Sequence, residues 1–172
     1  PCIESPGFEA DDIIATYAEQ AKAQNWRVTI VSSDKDLMQL IDDHVDLFDG
    51  MNNRHLGHQA VLDKFGVPPE KVIEVQSLMG DSVDNVPGVP GIGPKTAAEL
   101  IQNYGDLETL LGRAEEIKQP KRRQNLIEFA DQARISKELV TLKRDVELPF
   151  PLDDMEIRLP DPETLIEFLD LH

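Results

Sequence analysis

The chain has 172 residues, 40% of them hydrophobic, which is enough for one domain of ordinary size with a buried core. Its 33 acidic and 17 basic residues give a net charge of −16, which argues against a simple electrostatic DNA binder, because duplex affinity comes largely from neutralised phosphates. The single cysteine, Cys2, excludes an internal disulfide. No apolar run approaches the about 20 residues of a membrane span, and PCIESPGFEADD lacks the basic and apolar regions of a secretory signal. A soluble cytoplasmic protein is the expectation.

Residues 8–24 place Ile13, Ile14, Tyr17, Ala18 and Ala21 at helical spacing and predict an amphipathic helix. After a turn at Asn25, WRVTIVSS predicts a buried strand ending near Ser32 or Ser33. A helix from Lys35 to Ile41 and a short strand VDLFD at 45–49 follow. This alternation implies a parallel α/β sheet. From residue 58 the pattern turns helical, with segments at 58–65, 69–79, 94–103, 107–116, 121–141 (broken near Arg134) and 161–171. DSVDNVPGVPGIGPKT must be a shaped loop, and VELPFPLDDMEIRLPDP reads as extended and peripheral. The expected division is an α/β part over 1–57 and a helical part over 58–172.

Three acidic groups fall at positions with chemical meaning. Glu9, Asp11 and Asp12 open the first helix, where the helix dipole alone would favour them. Asp34 and Asp36 follow the first strand, at the end where open parallel sheets build their sites; Asp34 could equally cap the helix at Lys35. Asp81 and Asp84 lie three apart after EKVIEVQSLMG, and turn formation beside Gly80 and Asn85 is their plain alternative. Together they offer the oxygen-only donors that a hard divalent ion such as magnesium or manganese takes, and two such ions can act on one phosphodiester. His44, His55, His58 and His172 have no zinc-like companions and read as surface residues. Removing the seven motif carboxylates still leaves 26 acids against 17 bases, so a solvated acidic surface is part of the account as well.

GVPGIGPKTAAELI at 88–101 is not a nucleotide-binding P-loop, since Pro94 separates Gly93 from Lys95. Pro94 suits a first helical position. Gly91 and Gly93 let backbone N–H groups approach an anion at that helix N-terminus, and Lys95 adds a cation. That describes a phosphate seat which reads no bases; an ordinary tight turn between helices is the alternative. Lys118, Lys121, Arg122 and Arg123 form a basic patch that could extend it.

The three groups resemble, in order and spacing, the motifs of the flap-endonuclease superfamily: Glu9-Ala10-Asp11-Asp12, Ser33-Asp34-Lys35-Asp36-Leu37, and Gly80-Asp81-Ser82-Val83-Asp84-Asn85 continuing to Ala97. Within it, the chain is most similar to the 5′–3′ exonuclease domain of bacterial DNA polymerase I. The resemblance implies a PIN-like α/β nuclease core followed by a helix-hairpin-helix subdomain. It implies two divalent cations held or oriented by Glu9, Asp11, Asp12, Asp34, Asp36, Asp81 and Asp84, with Asp34, Asp36 and Asp84 catalytic. Gly88, Gly91, Gly93, Lys95 and Thr96 would form the hairpin that grips DNA, with a potassium ion on its carbonyls, and Lys121, Arg122 and Arg123 would extend the grip. The implied reaction is phosphodiester hydrolysis at 5′ ends or flaps, in primer removal and repair, by a monomer joined to proofreading and polymerase domains. Family members also carry a first strand with a metal-binding aspartate and a helical arch upstream of the glutamate motif. Pro1 stands eight residues before Glu9, so the expectation is a chain lacking that N-terminal part and inactive alone. The rival reading is a non-catalytic DNA-binding module whose carboxylates only cap and solubilise.

Overall fold

The computed structural model describes residues 2–157 and 161–171. Helix α1 spans Ala10–Ala23 and buries Ile13, Ala15, Thr16, Ala18 and Ala21, the stripe its periodicity requires. Asn25, at φ 61, turns the chain into strand β1, Val28–Val31. β1 pairs in parallel with β2, Val45–Asp49. A third strand, β3 (Arg54–Leu56), returns antiparallel to β2 and was not foreseen. Its turn is set by the Asp49 carboxylate, which accepts from the Asn52 backbone and side chain (3.2 and 2.7 Å), with Asn53 at φ 50.

Two expectations in this half need correction. β1 is four residues long and only Ile30 is buried; Val31 is 72% exposed, because the described residues leave the outer face of this strand open to solvent. The helix expected over 35–41 is a five-residue 3-10 turn, Asp36–Leu40, whose apolar side chains Leu37, Met38 and Leu40 all enter the core.

The helical half comprises α2 (His58–Phe65), α3 (Val72–Met79), α4 (Pro94–Tyr104), α5 (Leu107–Gly112), α6 (Pro120–Glu128), α7 (Ala130–Val140) and α8 (Pro162–Leu171). The break in the 121–141 segment falls at Phe129 (φ −106, ψ 23), not near Arg134. Phe129 packs against the core, whereas Arg134 lies inside α7 and pairs with Glu108 at 2.9 Å. The expected helices over 69–79 and 107–116 each divide into a 3-10 turn and an α-helix. One core joins both halves, with Ala15, Leu37 and Leu47 in the same cluster as Leu78, Ile101 and Leu126.

The proline-rich segment after α7 is peripheral but fastened to α1. The Lys143 N–H donates to Asp12 (2.8 Å), the Val146 N–H to Thr16 (3.2 Å), and the Tyr17 hydroxyl to the Phe150 carbonyl (2.9 Å). Residues 158–160 of that segment, and His172, lie outside the described residues. His44, His55 and His58 are exposed, as expected. Among the described residues no helix is long and apolar enough to cross a membrane.

Candidate metal centre and nucleic-acid interface

The three acidic groups meet around the carboxyl end of β1. Burial first, then the charges of Asp34, Asp36, Glu9 and Asp12, push the Asp11 carboxyl up to about 6. Burial also raises Asp36, helped by Asp34 and Asp84 and opposed by Gln76 and Lys35. The first helix and the strand end therefore bring Asp11 within reach of the charges of Asp34 and Asp36, and the loop after α3 brings Asp84 within reach of Asp36.

Local geometry separates these acids by task. Asp34 opens the 3-10 turn: its N–H donates to Ser32 Oγ and its Oδ1 accepts from the Asp36 N–H, both at 3.0 Å. Its side chain stays exposed, so turn-capping and a site role coexist. Asp12 is committed elsewhere, accepting from the Glu9 N–H (3.4 Å) in a capping box and from the Lys143 N–H. Asp81, with a side chain only 10% exposed, accepts from Lys35 and from the Val83 N–H (2.8 Å). Lys35 holds that carboxyl below its usual range. A pair of backbone bonds between Asp81 and Val86 (2.8 and 2.7 Å) closes the loop, and Asn85 (φ 56) turns it. Asp84 is thereby presented at the loop's exposed tip.

Among the described residues no three His, Cys, Asp or Glu side chains are arranged to grip a single ion directly. Magnesium needs no such cage, since it keeps several waters and binds through one or two carboxylates. An oxygen-only donor set whose members repel one another is what a divalent cation would relieve, so these residues fit one. Sequence reasoning missed two residues that organise the cluster. Lys35, the cation inside the Ser-Asp-Lys-Asp motif, ties β1's end to Asp81. Gln76, a buried amide among Val72, Val75 and Leu78, donates to Asp36. Lys35 is visible in hindsight as the one cation of its motif, and Gln76 as one of two buried polar residues, with Ser77, on α3.

The glycine loop divides as well. Gly88 does not offer its backbone to an anion: it is buried, its N–H donates to Ser136 Oγ (2.9 Å), and its carbonyl accepts from Gln132 (2.7 Å). Gly91 (φ 78) and Gly93 are exposed, and Gly93 is the N-cap of α4 with Pro94 at the first helical position. Lys95 is exposed and Thr96 half-buried in that first turn. Asn125 of α6 supports the loop from behind, donating to the Pro90 carbonyl at 2.6 Å. Lys64, at the end of α2, lines the same groove of about 390 Å³ as Lys95 and was not singled out from sequence. In the basic patch Lys121 is exposed, Arg122 half-buried, and Arg123 is drawn toward Glu115 (3.9 Å).

Fold and site together define an α/β protein with a carboxylate cluster at a strand end and a glycine-turned helix start beside it. The chain belongs to the 5′-3′ exonuclease family: the family's N-terminal resolvase-like domain matches residues 1–66, and its C-terminal SAM fold matches residues 67–163. DNA polymerase I of Rhizobium leguminosarum is 57% identical over 169 residues, covering 98% of this chain and 17% of that protein. A 5′-3′ exonuclease of Aquifex aeolicus is 38% identical over 163 residues, covering 94% of this chain and 54% of that one. The chain thus spans about half or less of these curated relatives' length. Among solved structures, the T5 5′-exonuclease with bound zinc superposes with a TM-score of 0.74 at 28% identity, covering 80% of this chain and 51% of that one. The catalytic core of Rad2 in complex with DNA shares the fold, with a TM-score of 0.56 at 18% identity over 95% of this chain and 55% of that one.

Proposed function

We propose that the chain is the metal-dependent 5′ nuclease part of a DNA polymerase I-like protein, hydrolysing phosphodiester bonds at 5′ ends or flaps during primer removal and repair. The observation that carries this is the convergence of Asp11, Asp34, Asp36 and Asp84, acids distant in sequence; burial first, and then the charges of neighbouring carboxylates, raise Asp11 and Asp36. Divalent cations, magnesium or manganese by donor type, would be held by these four, with Glu9 beside them. When bound, such ions neutralise charge at the scissile phosphate. Asp12 and Asp81 act one step back, fixing α1 and the Asp84 loop. DNA is the partner: Gly91, Gly93, Lys95 and Thr96 would seat a backbone phosphate, with Lys64, Lys121 and Arg122 along the path. The division of labour proposed is a nuclease part over 1–57 and a DNA-gripping part over 58–172. A potassium ion on the loop carbonyls is proposed on the resemblance alone. The non-catalytic reading is not favoured, because both matched domains are those of exonucleases and the T5 neighbour binds divalent metal.

The test is cleavage of a 5′-flapped duplex with magnesium, with and without EDTA. In a protein that carries this chain together with the family's first strand and arch, EDTA-sensitive cutting is expected, abolished by Asp84→Asn with duplex binding unchanged. Salt-sensitive binding with no EDTA-sensitive cutting would favour the clamp reading.

A further inference from the structure

Gln76 lies on α3, in the helical half, yet its side chain reaches the carboxylate cluster at the end of β1. It is 1% exposed, on a helix that buries Val72, Val75, Leu78 and Ser77 as well. Of these polar side chains only Ser77 is satisfied within the helix, by the Ile73 carbonyl. Its amide nitrogen donates to Asp36 Oδ1, and its Oε1 is buried with no partner. The orientation is dictated by chemistry, because an ionised carboxylate only accepts and so must face the NH₂ group. A buried, unpaired carbonyl oxygen lowers stability, and an apolar side chain of the same length would fill this position without it. The amide is therefore kept for what it does to Asp36.

We infer that Gln76 is a positioning residue: it fixes one oxygen of Asp36 and leaves the other directed to a divalent cation. This rests on the metal reading above. Lys35 performs the parallel task on the neighbouring loop by holding Asp81, so the helical half grips the cluster at two points. Partners that orient ligating carboxylates typically change metal affinity 10- to 100-fold when removed.

The experiment is a manganese titration of the chain, read by water-proton relaxation, beside thermal unfolding without metal. Gln76→Met is expected to weaken manganese binding about tenfold while its melting temperature stays level or rises, since the unpaired carbonyl is gone. Asp36→Asn should weaken binding at least as much, and the double variant should lose no more than Asp36→Asn alone. Unchanged affinity in Gln76→Met, beside a loss in Asp36→Asn, would make Gln76 a space-filler and overturn the inference. A joint fall of affinity and melting temperature, or full additivity in the double variant, would also overturn it. If Gln76→Met does not fold, Gln76→Leu is read by the same criteria, and failure of both assigns a structural role. No manganese binding by the unaltered chain would sink the metal reading itself, and the role of Gln76 with it.

Discussion

Asp11 and Asp12 are sequence neighbours, but about 100° of helix rotation separates them and sends them to different surroundings. Asp12 meets two backbone donors, from Glu9 and Lys143. Asp11 turns toward Asp34 and Asp36, and its carboxyl is raised from 3.8 to about 6. A raised acid binds its proton more tightly in the folded state than in the unfolded one. Its contribution therefore favours folding below about pH 4 and is lost as pH rises through about 6. Without divalent metal, Asp11→Asn should raise the melting temperature at about pH 7.5 by about 2–4 °C, and by less at about pH 4.5; that is the effect of ~1 kcal/mol in a chain of this size, a figure discounted for the group's partial exposure. A larger gain at the lower pH would show that burial and the neighbouring charges do not raise Asp11 in the folded chain.

At the scale of elements, the loop between α3 and α4 is held by a crossing of two glycines. Gly80 (φ 70) and Gly88 (φ 60) both have left-handed backbones. A Cβ on Gly88 would lie 2.5 Å from the Gly80 nitrogen, and one on Gly80 2.6 Å from the Val86 carbonyl oxygen. Gly88→Ala should therefore destabilise the chain by about 3 kcal/mol or more in urea unfolding, combining backbone strain with overpacking. Gly93→Ala, with negative φ and open space, should cost under about 1 kcal/mol. Equal costs would mean the crossing does not hold the loop. Sequence exposed this loop's existence through its glycines and prolines, but not which glycine is buried, because that depends on Ser136 and Gln132 some 50 residues on. The same limit explains the displaced break at Phe129: the residue packs into the core, and no local signal marks it. β3 escaped notice because three residues, RHL, carry too little alternation to read. The acidic motifs were legible as groups, while the backbone partners of Asp12, the Lys35 partner of Asp81 and the exposed position of Asp84 required the fold.

For the whole molecule, a net charge of −16 must coexist with the proposed phosphate-binding face. The distribution of ion pairs reconciles them. Lys22, Lys35, Arg113, Arg134, Lys137 and Arg144 are each consumed by a carboxylate within the chain. Among the described residues Lys64 and Lys95 form no such pair and share one groove at the start of α4, and Lys118 and Arg122 share another. Cations without an ion pair among the described residues thus lie mainly on the helical half, where Asp63 and Glu99 line the same grooves. Salt weakens the acidic field over about 10 Å at 0.1 M, so binding at this face is expected to depend on ionic strength. Lys95→Ala should then weaken duplex binding by a similar factor for every sequence tested, because phosphate contacts read no bases. It should also lower the slope of log affinity against log salt by about 0.9, the value for one lost phosphate contact. Fluorescence anisotropy across a series of salt concentrations, with two unrelated duplexes, measures both. A loss that differs between the duplexes, or an unchanged slope, would remove Lys95 from the phosphate track and return the glycine loop to an ordinary turn.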